Sequence, residues 1–317
     1  MPAQTAGAGY TAAVTIQNPL EPISLHPLLT QAQAPLTHSL QARNEFGAMV
    51  EVSIPAERDL TVYVDKRELV TLMTLGAHPE WLVLGYLLNQ RLVGSVDEIE
   101  SITVDWDVNA ASVKTRHGID RIEERTAKRV VTTGCGQGSV FGGLMDEIDS
   151  IRLPQGATLR QSQLYRIVNA IRQKESTYKS AGSVHACALF VDAELQLFVE
   201  DVGRHNAVDT IAGWMALNTR PGDVIGAPEA PKVFYTTGRL TSEMVIKSAQ
   251  MGVAMVISRS GMTQMGLEVA QRVGLCAIGR ATNKRFLCYA HPQRLLLDAV
   301  PPEPGGVTPN ERVADGV

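Results

Sequence analysis

Cysteine is scarce: four residues in 317, with no CxxC spacing, so neither a disulfide scaffold nor a structural zinc site is indicated. No stretch reaches the roughly 18 apolar residues that a membrane span needs. The opening MPAQTAGAGYTAAVTIQNPL lacks both the positive segment and the apolar core of an export signal. Positive charge is not in excess either. A formal net charge of −4 argues against a protein that coats nucleic acid or an anionic membrane by overall charge, and leaves only a local anion site. No repeat of the solenoid kind is visible. These absences lead us to expect a soluble, cytoplasmic protein with no nucleic-acid or membrane partner.

Nucleotide fingerprints are missing as well. There is no GxxxxGK[ST], and the glycines of GCGQGSVFGG do not have GxGxxG spacing, so neither a P-loop NTPase nor an ordinary dinucleotide dehydrogenase is supported. A zinc deaminase would show HxE and PCxxC, whereas two residues after His185 stands Cys187 and PCxxC is absent. No metal ligands and no stoichiometric zinc are expected.

What is present is a sizeable core, with 44% hydrophobic residues. Residues 1–45, rich in Ala, Gln, Thr and Pro, read as a disordered tail, and residues 296–317, built from turn and breaker residues, as a flexible one. Between them, residues 46–155 read as a smaller N-terminal α+β portion. In it MVEVSIP and LTVYVDKREL are strands, PEWLVLGYLLNQ is a central helix opened by Pro79, and IESITVDWDV and ASVKTRH are further strands. Residues 156–295 read as an α/β domain. Its first helix has Thr158 and Gln161 at capping-box spacing, and CALFV and LQLFVED form a hairpin. Val208, Ile211, Ala212 and Met215 stripe one helix, and strand and helix then alternate through KVFYTTGR, VAMVISRSG and LCAIGR, the pattern of a parallel sheet.

Ligands of such sheets bind beyond the carboxyl ends of the strands. Three successive loops there carry Thr236, Thr237, Gly238 and Arg239, then Ser258, Arg259, Ser260 and Gly261, then Gly279, Arg280, Ala281, Thr282 and Asn283. With helix N-termini behind them they suit a phosphate or pyrophosphate, although each arginine taken singly reads equally as a solvated charge or a cap. EDVGRHNAVD concentrates Glu200, Asp201, Arg204, His205, Asn206 and Asp209 at a strand-to-helix junction. They could orient a ligand, or serve only as a helix cap and an internal ion pair. His185 reads as well as a packed histidine as a site residue.

VTTGCGQGSVFGG places Cys135 between glycines after a strand end. Glycines uncover the thiol and let another molecule approach, which suits a persulfide carrier. Gly138 occupies the position that a CxxC redox partner would need, which disfavours an internal dithiol switch. An inert loop cysteine is the remaining possibility.

TGCG, SAGSVHACAL, EDVGRHNAVDTIAGW, TTGRLTSEMVIKSAQMGVAMVISRS and LCAIGRATNKRFLCY, in this order over residues 47–290, together resemble the formate dehydrogenase accessory sulfurtransferase (FdhD) family. The resemblance implies a cytidine deaminase-like three-layer α/β domain without zinc ligands beside the smaller N-terminal portion, in a homodimer. It implies a sulfurtransferase that takes sulfur from a cysteine desulfurase as a persulfide on Cys135. The sulfur goes to the bis-guanine-dinucleotide form of the molybdenum cofactor, bound as cargo for formate dehydrogenase. It also implies that Ile278, Gly279, Arg280, Ala281, Thr282 and Asn283 bind this cofactor; Arg239 and Arg259 join them from the strand-end positions above. The alternatives are a cofactor chaperone without sulfur transfer and a nucleotide deaminase of the same fold. Two departures stand out: Gly138 replaces the family's frequent second cysteine, and Ser260, Gly261, Met262 and Thr263 replace Ser-Ala-Pro-Thr, which should loosen that loop.

Overall fold

The computed structural model describes residues 26–120, 122–123, 148–174, 176–218 and 231–299. Cys135 and its glycine-rich segment lie outside the described residues.

The first core is built on a five-stranded sheet. It comprises β1 (Leu28–Leu29), β4 (Arg58–Val64), β5 (Arg67–Thr74), β6 (Ile99–Asp105) and β7 (Ala110–Thr115), in the order β1-β6-β7-β4-β5. LTVYVDKREL is thus a hairpin rather than one strand. Asp65 and Lys66 take φ of 48° and 71°, the left-handed pair that a tight two-residue turn requires. Helix α1 (Pro79–Asn89) covers this sheet with Leu82, Val83, Leu84 and Leu87, all essentially without exposure. Pro79 at its start has no N–H to leave unsatisfied.

Within the two segments expected as tails, the described residues include strands. Residues 28–43 supply β1 and β2 (Thr37–Arg43), and β2 pairs in register with β3 (Met49–Pro55), so MVEVSIP joins the strand before it, not the one after. This hairpin is largely exposed and held by its ladder and by Asn44, whose Oδ1 accepts from the N–H groups of Phe46 and Ala48. Stability that comes from backbone pairing leaves little apolar periodicity to read. At the other end Leu296 pairs with Arg160 in a short parallel bridge of β8 (Leu159–Arg160) and β15 (Leu295–Leu296). Asp298 then accepts from Ser162 N at 2.9 Å and Ser162 Oγ at 2.7 Å. It thereby caps α2 (Gln161–Gln173), the task expected of Thr158.

The second core surrounds a six-stranded sheet in the order β10-β9-β11-β12-β13-β14. Its strands are β9 (His185–Val191), β10 (Glu194–Asp201), β11 (Lys232–Thr236), β12 (Met255–Ser258), β13 (Cys276–Thr282) and β14 (Arg285–Ala290). The β9-β10 hairpin turns through Asp192 and Ala193 at φ of 48° and 62°. The middle strands β11, β12 and β13 are parallel neighbours, as the alternation implied. They are linked by α5 (Ser242–Gln250) and α6 (Gln264–Val273), which pack on each other. Ile148 and Leu153 also bury here, so the second core begins a little before residue 156.

Helix α4 (Arg204–Asn218) joins the two cores: Val208 and Ile211 belong to the second, while Ala216 and Leu217 pack on the first. It meets α1 at Gly85 and Gly213. A Cβ at Gly85 would lie 1.7 Å from Asp209 O, and one at Gly213 2.0 Å from Trp81 O, so only glycine permits the backbones to approach so closely.

Candidate functional site

The parallel register places the ends of β11, β12 and β13 side by side, and a cleft of about 370 Å³ opens over them. Thr237, Arg259, Ala281, Thr282 and Asn283 line one wall. The opposite wall comes from α2 and α3 (Thr177–Ala181), through Arg172, Lys174, Tyr178 and Lys179. Phe198 and Tyr235 add aromatic surface at its floor, and Lys174 Nζ stands 5.8 Å from the Phe198 ring centre. The volume is that of a small-molecule site. Its lining combines four cationic side chains with hydroxyl, amide and aromatic groups, a chemistry that complements an anionic ligand carrying a flat ring.

Several local devices hold this cleft. Glu200, one of its lining residues, accepts from Thr177 N at 2.6 Å and Tyr178 N at 3.1 Å, so its carboxylate satisfies the start of α3 and sets Tyr178 and Lys179 in place. Thr237 N donates to Ala186 O at 2.9 Å and Thr237 Oγ1 accepts from Ala186 N at 3.0 Å, fixing the β11 loop to β9. The β11 and β12 loops are joined in turn. Leu240 N donates to Gly261 O, Thr263 N donates to Leu240 O, and Leu240 and Met262 form a parallel bridge. Met262 therefore sits in a backbone-paired loop. Burial pushes the Tyr235 phenol up to about 12, against the pull of nearby Arg259, so it stays protonated.

The expected site residues divide. Arg259, Ala281, Thr282 and Asn283 line the cleft. Ile278 is fully buried within β13, between Ile257 and Cys288, and does not line the cleft. Gly279 is needed for close approach: a Cβ would stand 2.7 Å from Tyr289 Cε2 and 2.9 Å from Ser260 O. Arg280 is exposed, at φ 50°, and its N–H donates to Ser260 O at 2.8 Å; its side chain does not line the cleft. Arg239 is also exposed and off the cleft wall, beside His185 and Arg204. Burial, then the charges of Arg204 and Arg239, hold the His185 imidazole below its ordinary value, and hence neutral at pH 7. Gly238 allows this grouping, since a Cβ there would meet Arg204 Cδ at 2.9 Å.

The acidic and histidine residues of EDVGRHNAVD form a buried framework. Asp201 accepts from Thr74 Oγ1 at 2.5 Å, Leu75 N at 3.1 Å and Asn206 Nδ2 at 2.8 Å, tying the β10 end to the first core. His205 Nε2 lies 3.2 Å from Glu243 Oε2. Burial, reinforced by Lys247, Arg204 and His185, pushes His205 down to about 2, so this contact joins a neutral ring to a carboxylate and is not an ion pair. Asn206 Nδ2 donates to Asp201 Oδ1 and Met73 O, and Asp209 accepts from Asn89 and Lys247, so the segment is anchored through partners other than the cap and the Asp201–Arg204 pair that the sequence suggested. Arg172, Lys174, Tyr178 and Lys179 were not singled out from sequence; the basic, tyrosine-bearing stretch RQKESTYKS was their only signal.

The profile of the FdhD/NarQ family matches residues 55–296. The chain belongs to the FdhD/NarQ family. It is 30% identical over 246 residues to the sulfur carrier protein FdhD of Bacillus subtilis, covering 78% of this chain and 91% of that one. The FdhD of Listeria monocytogenes serotype 4b is 27% identical over 264 residues, covering 82% and 98%. A crystal structure from Desulfotalea psychrophila, described as that of a candidate formate dehydrogenase accessory protein, superposes with a TM-score of 0.64 at 23% identity, over 83% of this chain and all of that one. The mixed α/β fold is therefore the fold of a solved protein, and the cleft described here belongs to an FdhD/NarQ chain.

Proposed function

We propose that this FdhD/NarQ protein is a sulfur carrier that holds the bis-guanine-dinucleotide form of the molybdenum cofactor in the strand-end cleft and supplies it with sulfur for formate dehydrogenase. The observation that carries the reading is the cleft itself: four cationic side chains and three aromatic rings in a cleft over the carboxyl ends of parallel strands, in a chain whose relatives are named sulfur carriers. A guanine dinucleotide offers a pyrophosphate to Arg259, Lys174 and Lys179 and a purine face to Tyr178 or Phe198. Arg239, exposed near His185, adds a positive charge outside the cleft. The second core is read as a cytidine deaminase-like layer without zinc ligands; its mixed sheet with three parallel central strands supports this.

The sulfur step falls to Cys135. Its thiolate attacks the outer sulfur of a persulfide on a cysteine desulfurase. A new S–S bond forms at Cys135, the donor S–S bond breaks, and the donor cysteine leaves as a thiolate. Glycines on both sides of Cys135 suit a thiol that must meet first a protein and then a bound cofactor. The protein acts in the cytoplasm as a homodimer, with desulfurase and formate dehydrogenase as its successive partners.

The test is intact-protein mass spectrometry after incubation with a cysteine desulfurase and free cysteine. A gain of one sulfur atom, reversed by thiol and absent in Cys135→Ala, is expected. With an active desulfurase and no gain, the protein is a cofactor chaperone without sulfur transfer.

A further inference from the structure

Cys276 and Cys288 take no part in the function above. Cys276 is fully buried on β13, Cys288 is half-buried on β14, and their sulfurs are 3.8 Å apart. In the antiparallel ladder Ala277 faces Ala290 and Ile278 faces Cys288, with a one-residue slip between these pairs. Side chains alternate across a sheet, so Cys276 shares a face with Ile278 and hence with Cys288, on a diagonal beside the slip. Cys288 Sγ also lies 3.5 Å from Ala290 O. The two thiols differ in character. The hydrogen bond from Cys276 holds Cys288 below its ordinary value, whereas that same bond, with burial, pushes Cys276 up. The more accessible sulfur is the more readily ionised one.

We propose that Cys276 and Cys288 form a reversible disulfide that locks the β13-β14 hairpin and sets the position of the turn bearing Thr282 and Asn283. The oxidant is a low-molecular-weight disulfide such as oxidised glutathione. Cys288 thiolate attacks one of its sulfurs, forming a mixed disulfide and releasing one glutathione thiolate, which takes up the proton that Cys288 lost. Cys276 then loses its proton as it attacks Cys288 Sγ, and the second glutathione leaves as a thiolate and is protonated. Two protein thiols are oxidised and one glutathione disulfide is reduced to two thiols. Only Cys288 has to meet the oxidant, so burial of Cys276 is no obstacle.

Closing the sulfurs from 3.8 Å to the roughly 2.05 Å of a disulfide draws the diagonal pair together. The slip at Ala277 and Ile278 is where β13 can absorb the movement. Ala281, Thr282 and Asn283 continue from the same hairpin into the cleft wall. Oxidation therefore changes ligand affinity, a consequence that rests on the cleft being the cofactor site; formation of the bond does not.

The experiment uses the full chain carrying Cys135→Ala, exposed to oxidised glutathione, alkylated and digested with trypsin. Cys276 falls in the peptide of residues 273–280 and Cys288 in that of residues 286–294. These two peptides are expected as a cross-linked pair, with the intact protein lighter by two hydrogens, restored by dithiothreitol and unchanged when Cys288→Ser is added. Alkylation of both cysteines, or a glutathione adduct on Cys288 that never resolves, overturns the disulfide. Guanosine diphosphate is then titrated into oxidised and reduced protein, with a change in affinity of at least about fivefold expected. A cross-link with equal affinities overturns the coupling while the disulfide stands. Absence of binding to the reduced protein overturns the cleft reading, and the cross-link result still decides the disulfide.

Discussion

Lys247 Nζ donates to Asp209 Oδ2 at 2.8 Å, and both side chains are at most 2% exposed. The pair joins α5 to α4, and Asn89 Nδ2, donating to Asp209 Oδ1 at 2.7 Å, adds α1. Three helices from two cores thus converge on one carboxylate. Lys247→Met leaves the buried Asp209 without a cationic partner and should cost about 3–5 kcal/mol; Asp209→Asn leaves Lys247 only the longer contact to Glu243 at 3.5 Å and should cost somewhat less. The double replacement Lys247→Met with Asp209→Leu should cost less than the sum of the two. Urea denaturation of all three variants measures this, and a single-variant cost below about 1 kcal/mol would contradict the account.

Stability should fall in acid through His205. Its folded value is about 2 against an ordinary 6.5, so the folded protein holds it neutral where the unfolded chain binds a proton. The stabilisation is fully present above pH 6.5 and is lost as pH falls towards 2, by up to about 1.4 kcal/mol per pH unit. Denaturation of the native protein and His205→Gln at pH 7.5, about 5.5 and about 4.5 isolates this contribution from that of the carboxylates. Parallel stability-pH curves for the two proteins would refute it.

Gly85→Ala and Gly213→Ala should each be severe, since each new Cβ meets a backbone carbonyl of the facing helix. Backbone cannot move aside as a side-chain tip does, so the helices must separate. A loss of about 3 kcal/mol or more, or failure to accumulate folded protein, is expected from thermal and urea unfolding. Gly261→Ala, with open space around its Cβ position, is the control and should fall within about 1 kcal/mol of the native protein.

Arg259→Ala and Lys174→Ala should each weaken guanosine diphosphate binding by about tenfold, the loss of roughly one charge-assisted contact. Arg280→Ala, off the cleft wall, should change it by less than about twofold. Calorimetric titration at low and high salt checks both values, because an ionic contact also weakens with salt. Equal losses for Arg259 and Arg280 would place the ligand elsewhere.

The parallel strands β11, β12 and β13 and the placing of Arg259 and Asn283 near their ends were legible because each depends on a local pattern: a short apolar run, a turn, a helical period. Ile278 and Gly279 lie in the expected segment but pack against neighbouring strands and do not line the cleft, since which face of a strand meets the cleft depends on its neighbours. Arg239 and Arg280 share the loop chemistry of Arg259 but not its direction, which the backbone of each loop sets separately. MVEVSIP was legible as a strand, but its partner β2 fell in the expected tail because their ladder uses backbone groups, which any sequence carries.

The sequence by itself determined the family, through EDVGRHNAVD and the arginine-bearing loops, and the alternation of strand and helix that makes a parallel sheet. Tertiary structure alone decided which residues share a wall. Lys174, Tyr178 and Lys179 line one cleft with Arg259 and Asn283, residues far away in the chain that only the fold brings together. It also decided that Asp201, His205 and Asp209 are buried framework: the worth of a charge depends on the water it loses and the partners it gains, and both are set by the packing of elements distant in the chain.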